Sequence, residues 1–297
     1  MIIDFHVHVG TLEHWNPRVV SSWFEPFGLS PNLLEVSPTH LLQEMDAAGV
    51  DKAVVLAFDC RRHMGVHVPN DYVGELCRAH PDRFVPFGSF DPIDYASPDA
   101  LLRAREEWGI AGVKLSPTYQ DVDPAHPRFL QFLALCAELG LPVLIHHGST
   151  GNSFARTKYQ QAWQLDEMLM AVPGLTLVVA HMGMPSQHEV LTLMIKHQRL
   201  YADISARTLL SFGGGVPQLR QDILRAIEYG VADRLLWGTD FPFTSPSEAL
   251  SDVRSLIGFT EPGRPVITPE VVEAMLGGNA LRILPESVSA GKGRAHE

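Results

Sequence analysis

Residues 112–147 read GVKLSPTYQDVDPAHPRFLQFLALCAELGLPVLIHH, and they contain two strand patterns on either side of a helix pattern. Gly112–Leu115 and Pro142–His146 are short apolar runs, as expected of parallel strands that are buried on both faces. Between them, Pro127–Leu139 has a helical pattern, with a proline at its start and Gly140 after its end. The stretch therefore predicts two parallel strands joined by a helix.

The same alternation continues along most of the chain. The apolar runs are Ile2–Phe5, Ala53–Ala57, Phe84–Gly88, Gly112–Leu115, Pro142–His146, Leu175–Ala180, Leu200–Ile204 and Leu235–Gly238. Eight strands that alternate with helices predict an α/β protein with a single (β/α)8 TIM barrel over residues 1–285. The alternative, a doubly wound open sheet, normally has a glycine-rich turn after its first strand, where this chain has His6-Val7-His8. Residues 286–297 look like a flexible C-terminal tail.

The composition excludes several classes of protein. The 297 residues are 45% hydrophobic and 19% charged, which predicts a large core and argues against disorder. The net charge is −11 and no basic run is present, so neither nucleic acid nor an anionic membrane is an expected partner. No apolar stretch approaches the ~18 residues of a membrane span, and we expect no signal peptide. The spacing of Cys60, Cys77 and Cys136 predicts reduced thiols in a cytoplasmic protein.

Residues that bind metals stand at the ends of several predicted strands. In a barrel of this kind, the carboxyl ends of the strands form the active site. His6 and His8 end the first strand, and residues two apart on a strand point to one face. His146 and His181 end the fifth and sixth strands, and Asp240 follows the eighth. Four histidines and one carboxylate would suit Zn²⁺, Mn²⁺ or Fe²⁺ with one position open for water.

Lys114 lies inside the fourth predicted strand, among apolar neighbours. A lysine is costly to bury unless it is paired or modified. Three interpretations are open: a carbamylated ligand that bridges two metal ions, a charge partner for the substrate, or one half of a structural ion pair.

Candidate substrate-binding residues follow the strands or lie in the long segment after the first strand. An arginine at the barrel mouth would bind a substrate carboxylate through two guanidinium nitrogens, and Arg61, Arg156 and Arg207 are candidates, of which we expect one or two to act. Tyr119 follows the fourth strand. Trp23 belongs to an aromatic-rich segment that predicts a lid over an apolar substrate, with a satellite core or an oligomer contact as alternatives.

The chain resembles the amidohydrolase superfamily, in the amidohydrolase-related branch (amidohydrolase 2) of aminocarboxymuconate-semialdehyde decarboxylase-like proteins. The matching segments cover almost the whole chain and are Ile3–His8, Gly112–Pro117, Pro142–Gly148, Ala180–Gly183, Leu236–Pro242 and Gly278–Arg282. The resemblance implies one divalent metal ion, with Zn²⁺ expected before Mn²⁺ or Fe²⁺. It implies His6, His8, His146 and Asp240 as the ligands and gives His181 the role of orienting or polarising the attacked group. It also implies a homodimer.

Two reactions are compatible with these residues. In the first, metal-activated water attacks an ester, lactone or amide of a small carboxylate-bearing substrate; Asp240 moves the proton and His181 stabilises the oxyanion. The alternative is non-oxidative decarboxylation of an aromatic or muconate-type carboxylic acid, in which protonated Asp240 delivers a proton to the carbon that loses CO₂. A third interpretation, an inactive barrel with a binding role, predicts a damaged ligand set, and the set is complete.

Overall fold

Eight parallel strands form the central sheet in the computed structural model, which describes residues 1–207 and 214–289. They are β1 (Ile3–His8), β2 (Lys52–Leu56), β5 (Phe84–Ser89), β6 (Gly112–Leu115), β7 (Val143–Ile145), β8 (Leu177–Val179), β9 (Leu200–Asp203) and β10 (Leu235–Leu236), hydrogen-bonded in that order. The amide of Phe5 donates to the carbonyl of Trp237, and the amide of His8 to that of Phe241, at 3.0 and 2.8 Å. These bonds join the last strand to the first, so the predicted TIM barrel is confirmed.

Helices and one small hairpin connect the strands. The hairpin pairs β3 (Phe58–Cys60) with β4 (Val66–Val68). The helices are Pro17–Phe24, Pro38–Ala48, Arg61–Met64, Asn70–Ala79, Ser97–Trp108, Pro117–Gln120, Pro127–Glu138, Ala162–Ala171, Gln187–Lys196, Gly215–Glu228, Pro246–Arg254, Pro269–Glu273 and Glu286–Ser289. In the described ranges, no helix combines the length and the apolar character that a bilayer span requires.

The helix Pro38–Ala48 shows how local sequence sets these boundaries. The side chain of Ser37 accepts a hydrogen bond from the amide of His40, which satisfies one of the free donors at the helix start. Gly49 follows the last turn with a φ of +72°, a conformation that suits glycine because it has no Cβ. A capping serine, a proline in the first turn and a final glycine therefore set the two ends of this helix.

The first strand contains an irregularity that matters for the site. Between Asp4 and Val7 it advances three residues while β2 advances two, so β1 has one extra residue. Phe5 packs in a cluster inside the barrel, and the neighbouring His6 also faces the barrel interior, lining a cavity at its mouth. The strand continues past the apolar run Ile2–Phe5 to His8, where the amide of His8 is bonded across the barrel seam.

The C-terminal segment differs from the predicted tail at its first residues. Glu286–Ser289 forms a short helix, and Val288 is buried in the cluster inside the barrel together with Leu284. The rest of the predicted tail, residues 290–297, lies outside the described residues.

Candidate active site

A cavity of about 390 Å³ lies at the carboxyl ends of the barrel strands. Its polar lining comes from five strands or the residues that follow them: His6, His8, Lys114, His146, His181 and Asp240. The remaining lining is mostly apolar: Trp15, Trp23, Pro26, Leu29, Leu34, Phe58, Tyr119, Ala206 and Phe243. The cavity therefore combines a compact polar cluster with walls that suit a flat apolar ring.

The polar cluster has the donor set of a divalent metal site. His6, His181 and Asp240 each offer one ligand atom, and these atoms lie within 4.8 Å of one another. Nε2 of His8 lies 3.3 Å from both Nε2 of His6 and Oδ1 of Asp240. The ring of His146 lies 5.3 Å from that of His181, centroid to centroid. Imidazole nitrogens beside a carboxylate fit Zn²⁺, Mn²⁺ or Fe²⁺.

The backbone around Asp240 is fixed by hydrogen bonds to the first strand. Asp240 has a φ of +59°, which is rare for a residue with a side chain. Its amide donates to the carbonyl of His6 at 2.9 Å. The preceding Thr239 donates to the carboxylate of Asp4 from its amide and from its hydroxyl, at 2.9 and 2.6 Å. These bonds hold the Asp240 carboxylate against His6 and compensate for the unusual backbone conformation.

A second carboxylate, Asp203, lies at the end of β9 and is fully buried. Its Oδ2 is 2.9 Å from Nδ1 of His6, and its Oδ1 accepts from the amides of His181 and Ser205, both at 3.0 Å. The hydroxyl of Ser205 also donates to Oδ1. Neither Asp203 nor Ser205 was among the predicted site residues. Two polar residues two positions apart, at the end of an apolar strand, are the signal that would have found them.

Burial sets the protonation states in the cluster. It lowers the pKa of His6 to about 3, and the nearby Lys114 ammonium adds to the shift. Burial lowers the pKa of Lys114 to about 8. For Asp240, burial alone raises the pKa, but interactions with His6 and His181 hold it well below its ordinary value. A neutral imidazole and an ionised carboxylate are the states in which these groups bind metals.

A family model described as amidohydrolase matches residues 3–285. The chain belongs to the amidohydrolase family. The resemblance inferred from the strand-end motifs is thereby confirmed at the family level.

Individual relatives of this amidohydrolase are more distant. A 2-pyrone-4,6-dicarboxylate hydrolase from Comamonas testosteroni is 27% identical over 209 residues, which span 64% of this chain and 64% of the relative. A TIM-barrel protein of unknown function from Bordetella bronchiseptica has a TM-score of 0.77 at 24% identity, covering 99% of each chain. A 5-carboxyvanillate decarboxylase from Novosphingobium aromaticivorans, complexed with manganese and a nitrobenzoic acid, has a TM-score of 0.69 at 16% identity, covering 95% of each chain. The two structural likenesses show the fold.

Two of the expected substrate-binding residues lie in the cavity wall of this amidohydrolase. The hydroxyl of Tyr119 donates to Thr150 at 2.8 Å, and its ring lies 4.6 Å from that of His146. Trp23 packs against Tyr119 and Phe243, with ring centroids 5.8 and 5.6 Å apart. Of the neighbouring pair of histidines after β7, His146 lines the cavity and His147 is not among its lining residues.

The three arginines expected to bind a substrate carboxylate lie outside the lining of the described cavity. Each pairs with a neighbouring aspartate instead of lining the cavity. The pairs are Arg61–Asp59, Arg156–Asp121 and Arg207–Asp222. A position after a strand does not fix where a long side chain points, and an adjacent carboxylate captures each guanidinium.

Lys114 is the one lysine or arginine that lines the cavity within residues 1–207 and 214–289. Its Nζ donates to Nε2 of His6 at 3.3 Å, and in that part of the chain it forms no ion pair with a carboxylate. The structural ion pair is therefore the least suitable of its three interpretations. A charge partner for the substrate and a carbamylated ligand both remain compatible with its place.

Proposed function

We propose that this amidohydrolase is a metal-dependent hydrolase of a small cyclic ester or lactone that carries a carboxylate. The observation that carries the proposal is the group formed by His6, His181 and Asp240 in a cavity with aromatic walls. The hydrolase from Comamonas testosteroni, similar to this chain over 209 residues, supports hydrolysis as the first candidate.

One divalent cation would be held by His6 and Asp240, with His8, His146 and His181 as the further donors. When bound, the cation would supply the Lewis acidity that activates water at neutral pH. We propose Zn²⁺ first because nitrogen donors predominate. Mn²⁺ is the alternative, and the decarboxylase from Novosphingobium aromaticivorans is complexed with manganese.

The protein's own side chains then divide the remaining work. The carboxylate of Asp240 accepts the proton of the attacking water and returns it to the leaving group. His181 and Lys114 face the site where negative charge develops on the substrate, and they stabilise it. The walls around Trp23 and Tyr119 exclude water and orient the ring.

The lining also limits the substrate. Because Lys114 is the one lysine or arginine that lines the described cavity, we propose that it binds one carboxylate of the substrate. The same apolar lining favours a second candidate, decarboxylation of an aromatic acid, since a benzene ring with one carboxylate would fill these walls. Cytoplasmic location and a homodimer stay proposals from the sequence.

The test combines metal content with two assays. Purified protein is analysed for bound metal and then assayed for ring opening of 2-pyrone-4,6-dicarboxylate and related lactones, and for CO₂ release from 5-carboxyvanillate and related aromatic acids. We expect near-stoichiometric metal and turnover in the first assay. Asp240→Asn should lower the turnover by about 100- to 10,000-fold, the range of general acid–base catalysis.

Asp166→Asn is the matched control, because Asp166 pairs with Lys196 on the surface, outside the cavity lining. It should leave metal content and turnover unchanged. CO₂ release without ring opening would replace the first candidate by the second. A protein that takes up neither Zn²⁺ nor Mn²⁺ would contradict the metal-dependent proposal.

A further inference from the structure

Asp203 and Ser205 together hold two of the cavity histidines. Nδ1 of His6 lies 2.9 Å from Oδ2 of Asp203 and 3.1 Å from Oγ of Ser205. Nδ1 of His181 lies 2.9 Å from the same Oγ and 3.2 Å from the carbonyl oxygen of Ser205. Asp203, Ser205 and His6 are all fully buried, so no bulk water competes for these contacts.

The direction of each hydrogen bond follows from what each atom can donate. An ionised carboxylate only accepts, and a serine hydroxyl has one proton. The hydroxyl of Ser205 donates that proton to Oδ1 of Asp203. Its oxygen is therefore left as an acceptor for both imidazoles.

Every partner of the two Nδ1 atoms is thus an acceptor. His6 faces a carboxylate oxygen and the Ser205 hydroxyl oxygen, and His181 faces that hydroxyl oxygen and a carbonyl. Both rings must carry their proton on Nδ1 to use these contacts. The lone pair of a neutral ring then lies on Nε2, the atom through which His6 contacts Lys114 at 3.3 Å.

We propose that Asp203 is a positioning residue that keeps the proton of His6 on Nδ1 and directs the Nε2 lone pair into the cavity. Ser205 extends the same control to His181. The inference rests on the proposed function for its consequence, because a lone pair on Nε2 is what a cation in the cavity would require.

Asp203→Asn tests this inference sharply because it keeps the shape of the side chain. Oδ1 of Asp203 accepts three hydrogen bonds: from the backbone amides of His181 and Ser205 and from the Ser205 hydroxyl. Because all three groups donate, the side-chain oxygen of asparagine must take the place of Oδ1. The amide NH₂ then occupies the place of Oδ2 and donates to Nδ1 of His6. The proton of His6 must move to Nε2, and its lone pair leaves the cavity.

The readout is the ¹⁵N spectrum of the imidazole rings in metal-free protein at neutral pH, with His6 assigned by comparison with His6→Gln. We expect an Nδ1–H ring in the wild type and an Nε2–H ring in Asp203→Asn. Ser205→Ala is the matched control, since it removes one donor to Asp203 and leaves the carboxylate facing His6. Its His6 ring should stay Nδ1–H.

The wild-type spectrum tests the inference even if Asp203→Asn does not fold, because an Nε2–H ring at His6 in the wild type would overturn it. An unchanged Nδ1–H ring in a folded Asp203→Asn variant would overturn it as well. Titration with Mn²⁺ is a separate measurement. There we expect a 10- to 100-fold weaker affinity for Asp203→Asn, as for other losses of a ligand's hydrogen-bond partner. A wild type with the expected tautomer that binds no cation would contradict the proposed function and leave this inference standing.

Discussion

The cavity holds its histidines in two different ways. On one side, His6 and His181 are bonded through Nδ1 to buried acceptors of Asp203 and Ser205. On the other side, Nδ1 of His8 and Nε2 of His146 are buried and have no hydrogen-bond partner in the described ranges. These two rings instead pack against aromatic side chains: His8 packs against Phe58, and His146 packs against Tyr119. The histidines on one side are oriented through Nδ1 by polar contacts with defined directions, whereas each ring on the other side has one buried nitrogen without such a contact in the described ranges.

The largest expected difference between the two sides is the loss of Mn²⁺ affinity when one histidine is removed from each. We expect His6→Ala to weaken Mn²⁺ binding by more than about 1,000-fold, because a ligand already oriented for the cation is worth more than the 10- to 100-fold of its supporting partner. His8→Ala should weaken binding about tenfold. Calorimetric titration of both variants checks the difference. Equal losses would show that the two sides contribute alike.

The aromatic packing beside His146 can be removed without changing a histidine, and its contribution to stability can then be measured. Tyr119→Ala removes the ring beneath His146 and should lower the free energy of unfolding by about 3 kcal/mol, as for other buried aromatic side chains. Tyr119→Phe removes the hydrogen bond to Thr150 and should lower it by about 1 kcal/mol. Urea unfolding of the two variants measures both values. A Tyr119→Phe variant as unstable as Tyr119→Ala would show that the hydroxyl, and not the ring, supports this side.

Lys114, which contacts His6, should make the stability of the protein depend on pH in alkaline solution. The pKa of Lys114 is about 8 in the folded protein, against 10.5 for an ordinary lysine. Between these values Lys114 binds more protons in the unfolded chain than in the folded one, so its contribution to stability rises as the pH increases from about 8 to about 10.5. We expect the wild type to gain about 2 kcal/mol of stability relative to Lys114→Met over this range, because the two proteins share the other groups that titrate there. Urea unfolding across this pH range measures it, and parallel curves for the two proteins would contradict the shift.

The smallest expected effect on stability comes from Asp166, which lies at the surface away from the cavity. Lys196 and His197 hydrogen-bond to Asp166 and lower its pKa. The contribution of this pair is present above the ordinary aspartate pKa and is lost as the pH falls below it. Asp166→Asn should therefore lower stability by less than about 1 kcal/mol at neutral pH, as expected for a surface pair, with Mn²⁺ affinity unchanged. Thermal unfolding at neutral and acidic pH checks both the size and the direction.

Much of the fold was predictable because buried parallel strands leave continuous apolar runs in the sequence. The convergence of His6, His146, His181 and Asp240 followed from the barrel itself, since its strand ends meet at one mouth. Side-chain direction beyond the strands was not predictable. Arg207, for example, turns to Asp222, a partner 15 residues away in a helix whose packing the sequence does not reveal.

Which histidine each polar residue of the seventh barrel strand contacts was also not predictable from the sequence patterns. Asp203 and His6 are 197 residues apart, and neither residue alone indicates the other. The extra residue in β1 was also not predictable, because the simple alternation of a strand places Phe5 and His6 on opposite faces. Irregularities of this kind depend on the pairing of two strands, which a single strand's pattern does not contain.

Much of the apolar wall comes from a different part of the chain than the polar cluster, and this allows the two to be changed separately. Trp15, Trp23, Pro26, Leu29 and Leu34 all come from the stretch between β1 and the helix Pro38–Ala48. The polar lining is assembled from five separate strands. Five of the nine remaining lining residues therefore belong to one contiguous segment. Replacing that segment would reshape much of the cavity wall while leaving the residues of the polar cluster in place.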